Sequence, residues 1–340
     1  MPFSRRRSLL RALALSAAPF GLPAWAAKAV TARSDSRLGP LAHPGKPVRL
    51  IVPFAPGGGA DVLARSLGPP LSELWQSPVM VDNRPGASGI LGLDAGSKAL
   101  PDGHTAVMAI GSLSILPALY PKLPFDIERD LTPVTLLGRT PLVWVSLPRP
   151  EVPPTLVGFV NWARGRRGRD SYGNFGAGTT SHLLAEQFKL AAQLDLVAVA
   201  YKGAGPLLQD LLGAVVVGGF VDVAASLPHL TSGRLQALAI TGRDRDPALP
   251  QVPTLAECGY GGFDATGWHA VFLPKACAPE RAEAWATDLR RVTQAPALAA
   301  RLSTLGIQTV GSTPAELATT LRGDAEHWAQ VVRAANLSLH

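Results

Sequence analysis

The chain has 340 residues, of which 47% are hydrophobic and 17% are charged, and its formal net charge is +7. A chain of this length and composition can bury two ordinary hydrophobic cores, so we expect two domains. Beyond its N-terminal segment the sequence contains no run of about 18 apolar residues, which is the length that a membrane-spanning helix needs. A membrane-spanning protein is therefore not expected.

The first residues have the three parts of an export signal. Arg5, Arg6, Arg7 and Arg11 form a positive region before an apolar stretch at Ala12–Leu22, and Ala24–Ala26 is a cleavage site of the A-x-A type. The run Arg6–Arg11 resembles a twin-arginine signal, and an ordinary secretory signal with a basic start fits equally. We expect export to the periplasm with cleavage near Ala26. Loss of the four arginines lowers the formal charge from +7 to +3, which removes most of the argument for a nucleic-acid partner.

Residues 27–46 are rich in alanine, glycine, proline and serine, which indicates a flexible lead-in. The apolar run Val48–Val52 follows, then the turn PFAPGGG, and an amphipathic helical pattern begins at Asp61. Glycine lets a backbone turn tightly, and the free N–H groups at a helix start attract an anion. This strand, turn and helix therefore predict an anion-binding turn, with Asp61 as the N-cap.

The same turn does not match a nucleotide site. A phosphate-binding loop needs a lysine and a hydroxyl residue after its last glycine, but Ala60 and Asp61 follow Gly59. The dinucleotide fingerprint needs a small residue three positions after Gly59, where Val62 stands. A carboxylate is the better candidate anion.

Further along the chain, apolar runs alternate with helical patterns. We expect strands at Val48–Val52, Val79–Val81, Thr105–Ile110, Leu142–Val145, Asp170–Tyr172, Val197–Val199, Val215–Val221 and Leu235–Ile240. We expect helices at Asp61–Trp75, Gly89–Leu100, Thr155–Ala163, Thr180–Ala191, Pro206–Leu212, Ala225–Ser232, Pro279–Val292, Pro296–Leu305 and Pro314–Ala335. The alternation indicates parallel sheets with crossover helices, which is the α/β class.

Two chain crossings between the domains are expected, near Gly138–Leu142 and near Thr241–Leu249. They divide the chain into a discontinuous first lobe, residues 47–140 plus 246–340, and a second lobe, residues 141–245. A helical C-terminal tail that returns to the first domain is common in two-domain α/β receptors.

Three more glycine-rich turns follow predicted strands, at Asn83–Gly89, Tyr172–Leu183 and Val199–Pro206. Ligands of open α/β sheets bind beyond the carboxyl ends of the strands. Two domains that face each other across such ends form a cleft lined with N–H donors, which suits a small carboxylate. Each turn taken alone also fits an ordinary connection between a strand and a helix.

Signatures of catalysis are missing from the sequence. It contains neither G-x-S-x-G nor H-E-x-x-H, and its seven histidines are scattered. His182, next to Ser181, is the one histidine that suggests a nucleophile and base, and a capping or packing role is the alternative. Cys258 and Cys277 have no metal-ligand spacing, and whether they form a disulfide is left open. We expect no catalytic residue, no metal and no cofactor.

Taken together, the motifs PFAPGGGADVLAR, DNRPGASGILG, YGNFGAGTTSHL, AYKGAGPLLQDLLG and LPHLTSGRLQALAIT closely resemble the Bug receptors, the extracytoplasmic solute-binding proteins of tripartite tricarboxylate transporters. The resemblance spans residues 46–335 in unbroken order. It implies a type II periplasmic-binding-protein fold, with two α/β lobes that close on a small organic acid by a hinge motion. The ligand contacts that it implies are Phe54, Ala55, Gly58, Gly59, Ala60, Asp61 and Ser88 from the first lobe and Thr179, Thr180, Ser181, His182, Tyr201 and Ala204 from the second.

The chain departs from this family at several positions. Ala60 stands where a hydroxyl residue is usual, Ala204 stands where serine is frequent, and Val215–Val217 and Phe220–Val221 replace patterns that contain carboxylates. These changes favour a less polar acid, such as a monocarboxylate or an aromatic acid, over citrate. The alternative is that backbone donors suffice and the changes are neutral.

The resemblance implies a receptor, expected to be a monomer, that delivers its ligand to membrane permease subunits or to a sensor protein. An exported hydrolase or isomerase on the same fold is the alternative function.

Overall fold

The computed structural model describes residues 41–43, 45–166 and 168–334. The expected export signal and residues 27–40 of the lead-in lie outside the described residues. Where the lead-in is described, it is not free: Leu41 is buried in a hydrophobic core, and the Ala42 N–H donates to the Asp102 carbonyl at 2.9 Å. The burial of Leu41 explains why the end of this segment is fixed against the first lobe.

The described chain alternates strands and helices, as its apolar periodicity predicts. The strands are β1 (Val48–Val52), β2 (Val79–Asn83), β3 (Thr105–Ile110), β4 (Leu131–Thr140), β5 (Leu142–Ser146), β6 (Asp170–Asn174), β7 (Leu196–Ala200), β8 (Gly218–Asp222), β9 (Gln236–Ile240), β10 (Gly267–Pro274) and β11 (Gln308–Thr309). The helices are α1 (Gly59–Trp75), α2 (Ile90–Ser97), α3 (Leu116–Leu119), α4 (Ile127–Asp130), α5 (Leu156–Arg164), α6 (Thr180–Ala192), α7 (Ala204–Leu212), α8 (Val223–Thr231), α9 (Pro279–Thr293), α10 (Pro296–Thr304) and α11 (Pro314–Ala334).

Two sheets form the two α/β lobes that the sequence predicts. The first sheet has the strand order β11-β4-β10-β3-β1-β2, and the second has the order β7-β6-β8-β5-β9. The expectation of purely parallel sheets is wrong, because β10 pairs antiparallel with β3 and β4, and β5 pairs antiparallel with β8 and β9. These antiparallel strands adjoin the crossings between lobes, so they enter each sheet against the direction of its parallel strands.

The two crossings lie side by side. Pro141 alone separates β4 in the first sheet from β5 in the second. The returning chain leaves β9 at Thr241, whose hydroxyl accepts the Leu142 N–H at 3.0 Å and whose N–H donates to the Leu142 carbonyl at 2.8 Å. The chain returns to the first sheet at Gly267, which pairs with Thr140 at the end of β4, so the two crossings lie side by side at a suitable place for a hinge.

The return segment stays with the second lobe longer than the expected boundary at 245/246. The Ile240 N–H donates to the Pro253 carbonyl, and the Leu255 N–H donates to the Ile240 carbonyl, each at 2.9 Å. Leu255 and Phe263 are buried in the core of the second sheet. A boundary just before β10 fits these contacts better, and the division into residues 47–140 plus 246–340 and 141–245 stays a prediction in its detail.

Each lobe has an aromatic centre. In the first, the rings of Trp75 and Trp285 pack 4.5 Å apart between α1 and α9. In the second, Trp144 on β5 packs against Phe188 at 5.0 Å and against Phe220 at 5.1 Å. Such pairs stabilise a core beyond their buried area.

Cys258 is half-buried, Cys277 is buried, and both are free thiols. They pack with different cores, Cys258 against the second lobe and Cys277 within the first. Within the part of the chain that the structure describes, no helix is long and apolar enough to cross a membrane.

Candidate functional site

A cavity with about 40 Å³ of free volume lies between the lobes, beyond the carboxyl ends of several strands. Small-molecule sites often lie between domains and at such strand ends. The first lobe lines it with Phe54, Gly58, Gly59, Ala60, Ile110, Gly111, Thr140, Gly267, Trp268 and His269. The second lobe lines it with Leu142, Phe175, Thr180, Gly203, Ala204 and Asp222.

The glycine turn after β1 brings the start of α1 to this cavity. Helix α1 begins at Gly59 with Gly58, which has no side chain, as its N-cap, and Asp222 of the second lobe accepts the Gly59 N–H. The expectation that Asp61 is the N-cap is wrong by three positions, because the glycines continue the helical backbone to Gly59. The first N–H groups of α1, with the positive end of its dipole, are therefore directed at the cavity.

Asp61 instead fixes the turn from behind. Its carboxylate accepts the Gly57 N–H at 3.1 Å, the Arg65 Nε–H at 3.0 Å and the Asn83 amide at 3.0 Å. Burial raises the pKa of Asp61, but the hydrogen bonds from Arg65, Gly57 and Asn83 outweigh it and hold that pKa below its usual value. Asp61 does not line the cavity; its bonds hold the glycine turn in place.

Most polar side chains of the second glycine turn form hydrogen bonds with backbone groups of the protein. The Thr179 hydroxyl donates to the Gly176 carbonyl at 2.8 Å, and the Ser181 hydroxyl donates to the Phe220 carbonyl at 2.7 Å. His182 Nδ1 accepts the Gly178 N–H at 3.0 Å. None of these three side chains lines the cavity. Thr180 and Phe175 are the residues of this turn that do.

These bonds also decide the role of Ser181 and His182. Successive residues on a helix do not face each other, and each of the two side chains is bonded to a different backbone group. Burial lowers the pKa of His182, which favours the neutral ring. The pair therefore has the geometry of structural contacts, not that of a nucleophile and its base.

The third turn opens α7 on the second lobe. Its N-cap is Gly203, whose φ of 133° is in the region that favours glycine, and no side chain caps the helix. Gly203 and Ala204 line the cavity, so the α7 start supplies a second set of N–H donors. Tyr201 points elsewhere: its hydroxyl donates to Asp210 Oδ2 at 2.7 Å, and burial together with Asp210 raises its pKa.

Hydrogen bonds join the lobes around the cavity. The Ala55 N–H donates to the Lys202 carbonyl at 2.9 Å. The Ser88 hydroxyl donates to the Ala177 carbonyl at 2.6 Å, and the Tyr120 hydroxyl donates to the same carbonyl at 3.2 Å. Ala55 and Ser88 thus connect the lobes and do not line the cavity. The described structure is closed.

Four buried residues with hydroxyl, carboxyl or imidazole side chains line the cavity, namely Thr140, Thr180, Asp222 and His269. The hydroxyl of Thr180 and the Nδ1 atom of His269 have no hydrogen-bond partner within the described residues. Burial lowers the pKa of His269 to about 4, so its ring is neutral. Asp222, the last residue of β8, is 6% exposed and accepts the Ala225 N–H at 2.9 Å.

Six of the thirteen ligand contacts implied by the resemblance line the cavity, namely Phe54, Gly58, Gly59, Ala60, Thr180 and Ala204. The other seven do not line this cavity; they are Ala55, Asp61, Ser88, Thr179, Ser181, His182 and Tyr201. Asp222 was missed, although a polar residue at a predicted strand end is a signal that points to it. Trp268 and His269 were missed because the apolar run of β10 was not assigned as a strand. No group of three metal-binding side chains occurs among the residues that the structure describes.

Comparison with known proteins gives concordant matches. A family model described as "Tripartite tricarboxylate transporter family receptor" matches residues 63–337. Protein BugT of Bordetella pertussis is 36% identical over 293 residues, which are 86% of this chain and 90% of BugT. The structure of R. palustris Rpa4515 with adipate is 29% identical, with a TM-score of 0.84, and the match covers 87% of this chain and 99% of that one. MatC of Rhodopseudomonas palustris with bound malate is 27% identical, with a TM-score of 0.80 and coverage of 85% and 100%.

Proposed function

The chain belongs to the tripartite tricarboxylate transporter receptor family, as its motifs predict, and we propose that it captures a small organic carboxylate between its two lobes. Members of this family are solute-binding receptors and not enzymes. The type II periplasmic-binding-protein fold predicted from the motifs agrees with the two α/β lobes and with the solved relatives.

One observation carries the proposal: two helix starts with glycine N-caps, those of α1 and α7, meet at the same cavity from opposite lobes. Backbone N–H groups at a helix start bind a carboxylate without a basic side chain. Small residues at both starts, Gly59 and Ala204 among them, let the ligand approach the backbone closely. Relatives that hold adipate and malate support the same class of ligand.

The lining favours a less polar acid over citrate. Ala60 and Ala204 lie at the two helix starts, and Phe54 and Phe175 add aromatic surface from either lobe. A ligand with three carboxylates would place charge against these apolar groups, which is unfavourable without partners. A monocarboxylate or an aromatic acid fits the cavity better.

We infer the biological setting from the sequence and the family. The first 26 residues direct export to the periplasm, with cleavage near Ala26. The receptor acts as a monomer and delivers its ligand to permease subunits of a tripartite transporter or to a sensor protein. No nucleic acid and no cofactor takes part.

Calorimetric titration and thermal denaturation with a panel of acids test this function. The panel contains hexanoate, benzoate, adipate, malate and citrate, with hexanamide and benzamide as controls that lack the carboxylate. We expect at least one acid to raise the melting temperature, since a ligand that binds only the folded state stabilises it. Hexanoate or benzoate should bind more tightly than citrate, and the amides should not bind. A protein that responds to none of the acids, or that binds the amides equally, does not have this function.

A further inference from the structure

A second and wider depression, which we call the outer groove, lies on the surface where the two lobes meet. Its first-lobe wall consists of Ala55 and Pro56, in the turn after β1. Its second-lobe wall runs from the end of β7 into α7 and includes Lys202 and Gln209. About 560 Å³ of free volume lies between these walls. None of the residues that line the outer groove lines the ligand cavity, so the groove is a separate surface.

Close backbone contacts join the two walls of the outer groove. The Ala55 N–H donates to the Lys202 carbonyl at 2.9 Å. A Cβ on Gly57 would lie 3.6 Å from the Gly205 Cα atom, and a Cβ on Gly205 would clash with the Pro56 carbonyl. A hinge motion that opens the cleft separates these two turns and, with them, the two walls. The outer groove is therefore complete only in the closed receptor.

The lining of the outer groove carries one charge on otherwise uncharged walls. Lys202 is exposed, and it is the one charged residue among the described residues that line the groove. Its ammonium group has no ion-pair or hydrogen-bond partner within the described part of the chain. The neighbouring Tyr201 hydroxyl is already bonded to Asp210. Because complementary charges face each other across protein interfaces, the surface that fits this groove is uncharged apart from a carboxylate opposite Lys202.

We propose that the outer groove is the surface through which the closed receptor docks on its membrane permease, and that it accepts a permease segment with an acidic side chain. This inference rests on the proposed function, in which the receptor delivers its ligand to permease subunits. Delivery is productive only if the permease distinguishes the loaded receptor from the empty one. A ligand that binds the closed form shifts the receptor toward that form, and a surface made of both lobes makes this shift visible to the permease.

Uptake by cells and ligand binding in solution test this inference together. A strain of the source organism without its own copy of the gene receives wild type or a variant. Uptake is measured with a radiolabelled form of the panel acid that binds most tightly. Lys202→Glu places like charges opposite each other and should lower uptake at least about tenfold. Its calorimetric affinity for the same acid should change less than about twofold, because residue 202 does not line the cavity.

Lys122→Glu is the matched control, because Lys122 is also exposed and lies outside the outer groove. It should leave both uptake and affinity unchanged. Lys202→Met, which removes the charge without reversing it, is the second variant should Lys202→Glu fold poorly. It should lower uptake about threefold.

Carboxylates placed on each wall test whether both lobes take part in docking. Pro56→Glu on the first lobe and Gln209→Glu on the second each add a negative charge at an exposed position of the groove. Each should lower uptake about threefold, with ligand affinity retained. Pro56→Gln, which loses the proline ring without gaining a charge, should keep the uptake of wild type. A loss confined to the second-lobe variants would overturn the proposal, because docking would then not depend on closure.

The remaining outcomes separate this inference from the proposed function. Unchanged uptake with Lys202→Glu, at a normal amount of exported protein, overturns the inference. So does a parallel loss of uptake and affinity in both Lys202 variants, because Lys202 would then act on ligand capture. If wild type binds the acid in solution but does not restore uptake, the partner is not a permease, and the inference fails while ligand capture stands. If wild type binds no acid of the panel, the proposed function itself fails.

Discussion

Two of the glycine turns, Pro53–Gly59 in the first lobe and Phe175–Thr179 in the second, look alike in sequence and act differently. The first has no hydroxyl residues, and its helix begins at the cavity with a glycine N-cap. The second is followed by the TTSH cluster, and its polar groups bond mostly to its own backbone and to β8. A polar side chain near a cleft is available to a ligand only if the fold has not already used it.

The largest loss of ligand binding is expected for Gly59→Ala, in the first turn. The new Cβ would lie 2.5 Å from Asp222 Oδ1, so the lobes cannot close and ligand binding should fall by more than about 100-fold. Titration of the tightest-binding panel acid measures the loss. Gly68→Ala is the matched control, because Gly68 lies in α1 outside the cavity and its Cβ would meet the Val79 carbonyl at an ordinary 3.7 Å. Equal binding by both variants would show that closure does not depend on this contact.

Buried histidines in the two lobes should make the fold sensitive to acid. The pKa of His269 is about 4 in the folded protein against an ordinary value of 6.5. Protons therefore bind the unfolded state more readily, and the free energy of unfolding should fall between pH 6.5 and 4. The His269 share is on the order of 3 kcal/mol.

His269→Gln should reduce this acid-dependent loss, as measured by urea denaturation across the same pH range. His182 contributes in the same direction, because burial lowers its pKa too, so His182→Gln is the comparison in the second lobe. If the free energy of unfolding of His269→Gln fell with decreasing pH as steeply as that of wild type, the lowered pKa of buried His269 would be contradicted.

Substitutions of Ser181 and Thr180 should show which hydroxyl of the second turn supports the fold and which one contacts the ligand. Ser181→Ala removes a buried bond to the Phe220 carbonyl and should lower the free energy of unfolding by about 1 kcal/mol, with ligand affinity retained. Thr180→Val removes an unpartnered hydroxyl that faces the cavity, so it should leave stability unchanged and weaken ligand binding about fivefold. The reverse pattern would mean that the two hydroxyls have been assigned the wrong roles.

The smallest effect on ligand binding is expected from the hydrogen bond between Ser88 and Ala177, which connects the lobes. Ser88→Ala removes the 2.6 Å bond to the Ala177 carbonyl, while Tyr120 retains its own bond to that atom. Dissociation of the tightest-binding panel acid should become about threefold faster in stopped-flow measurements. Ser97→Ala, which removes a 2.9 Å hydrogen bond within the first lobe, is the control and should not change the dissociation rate. If both variants released the acid equally fast, the faster release would not come from the loss of a contact between the lobes.

Much of the fold follows from local pattern. The strands β1 and β3 occupy the predicted residues, and the amphipathic helices agree within a few positions, because period and turn chemistry act over short stretches of chain. The strand at Leu142–Val145 was predicted but its antiparallel pairing was not, and β4, β10 and β11 were not predicted as strands. β10 is buried throughout its length except at Gly267, so its pattern has no alternation to reveal it.

The sequence by itself determined the family, the two α/β lobes and the small residues at the helix starts that suit a carboxylate. Only the tertiary structure decided which polar groups remain free, because Ser181 and His182 are bonded by partners that local pattern does not specify. It also placed Asp222 opposite Gly59, across the cleft between the two lobes. The reason is that hydrogen bonding and charge repulsion depend on distances in space, whereas periodicity reports neighbours along one element.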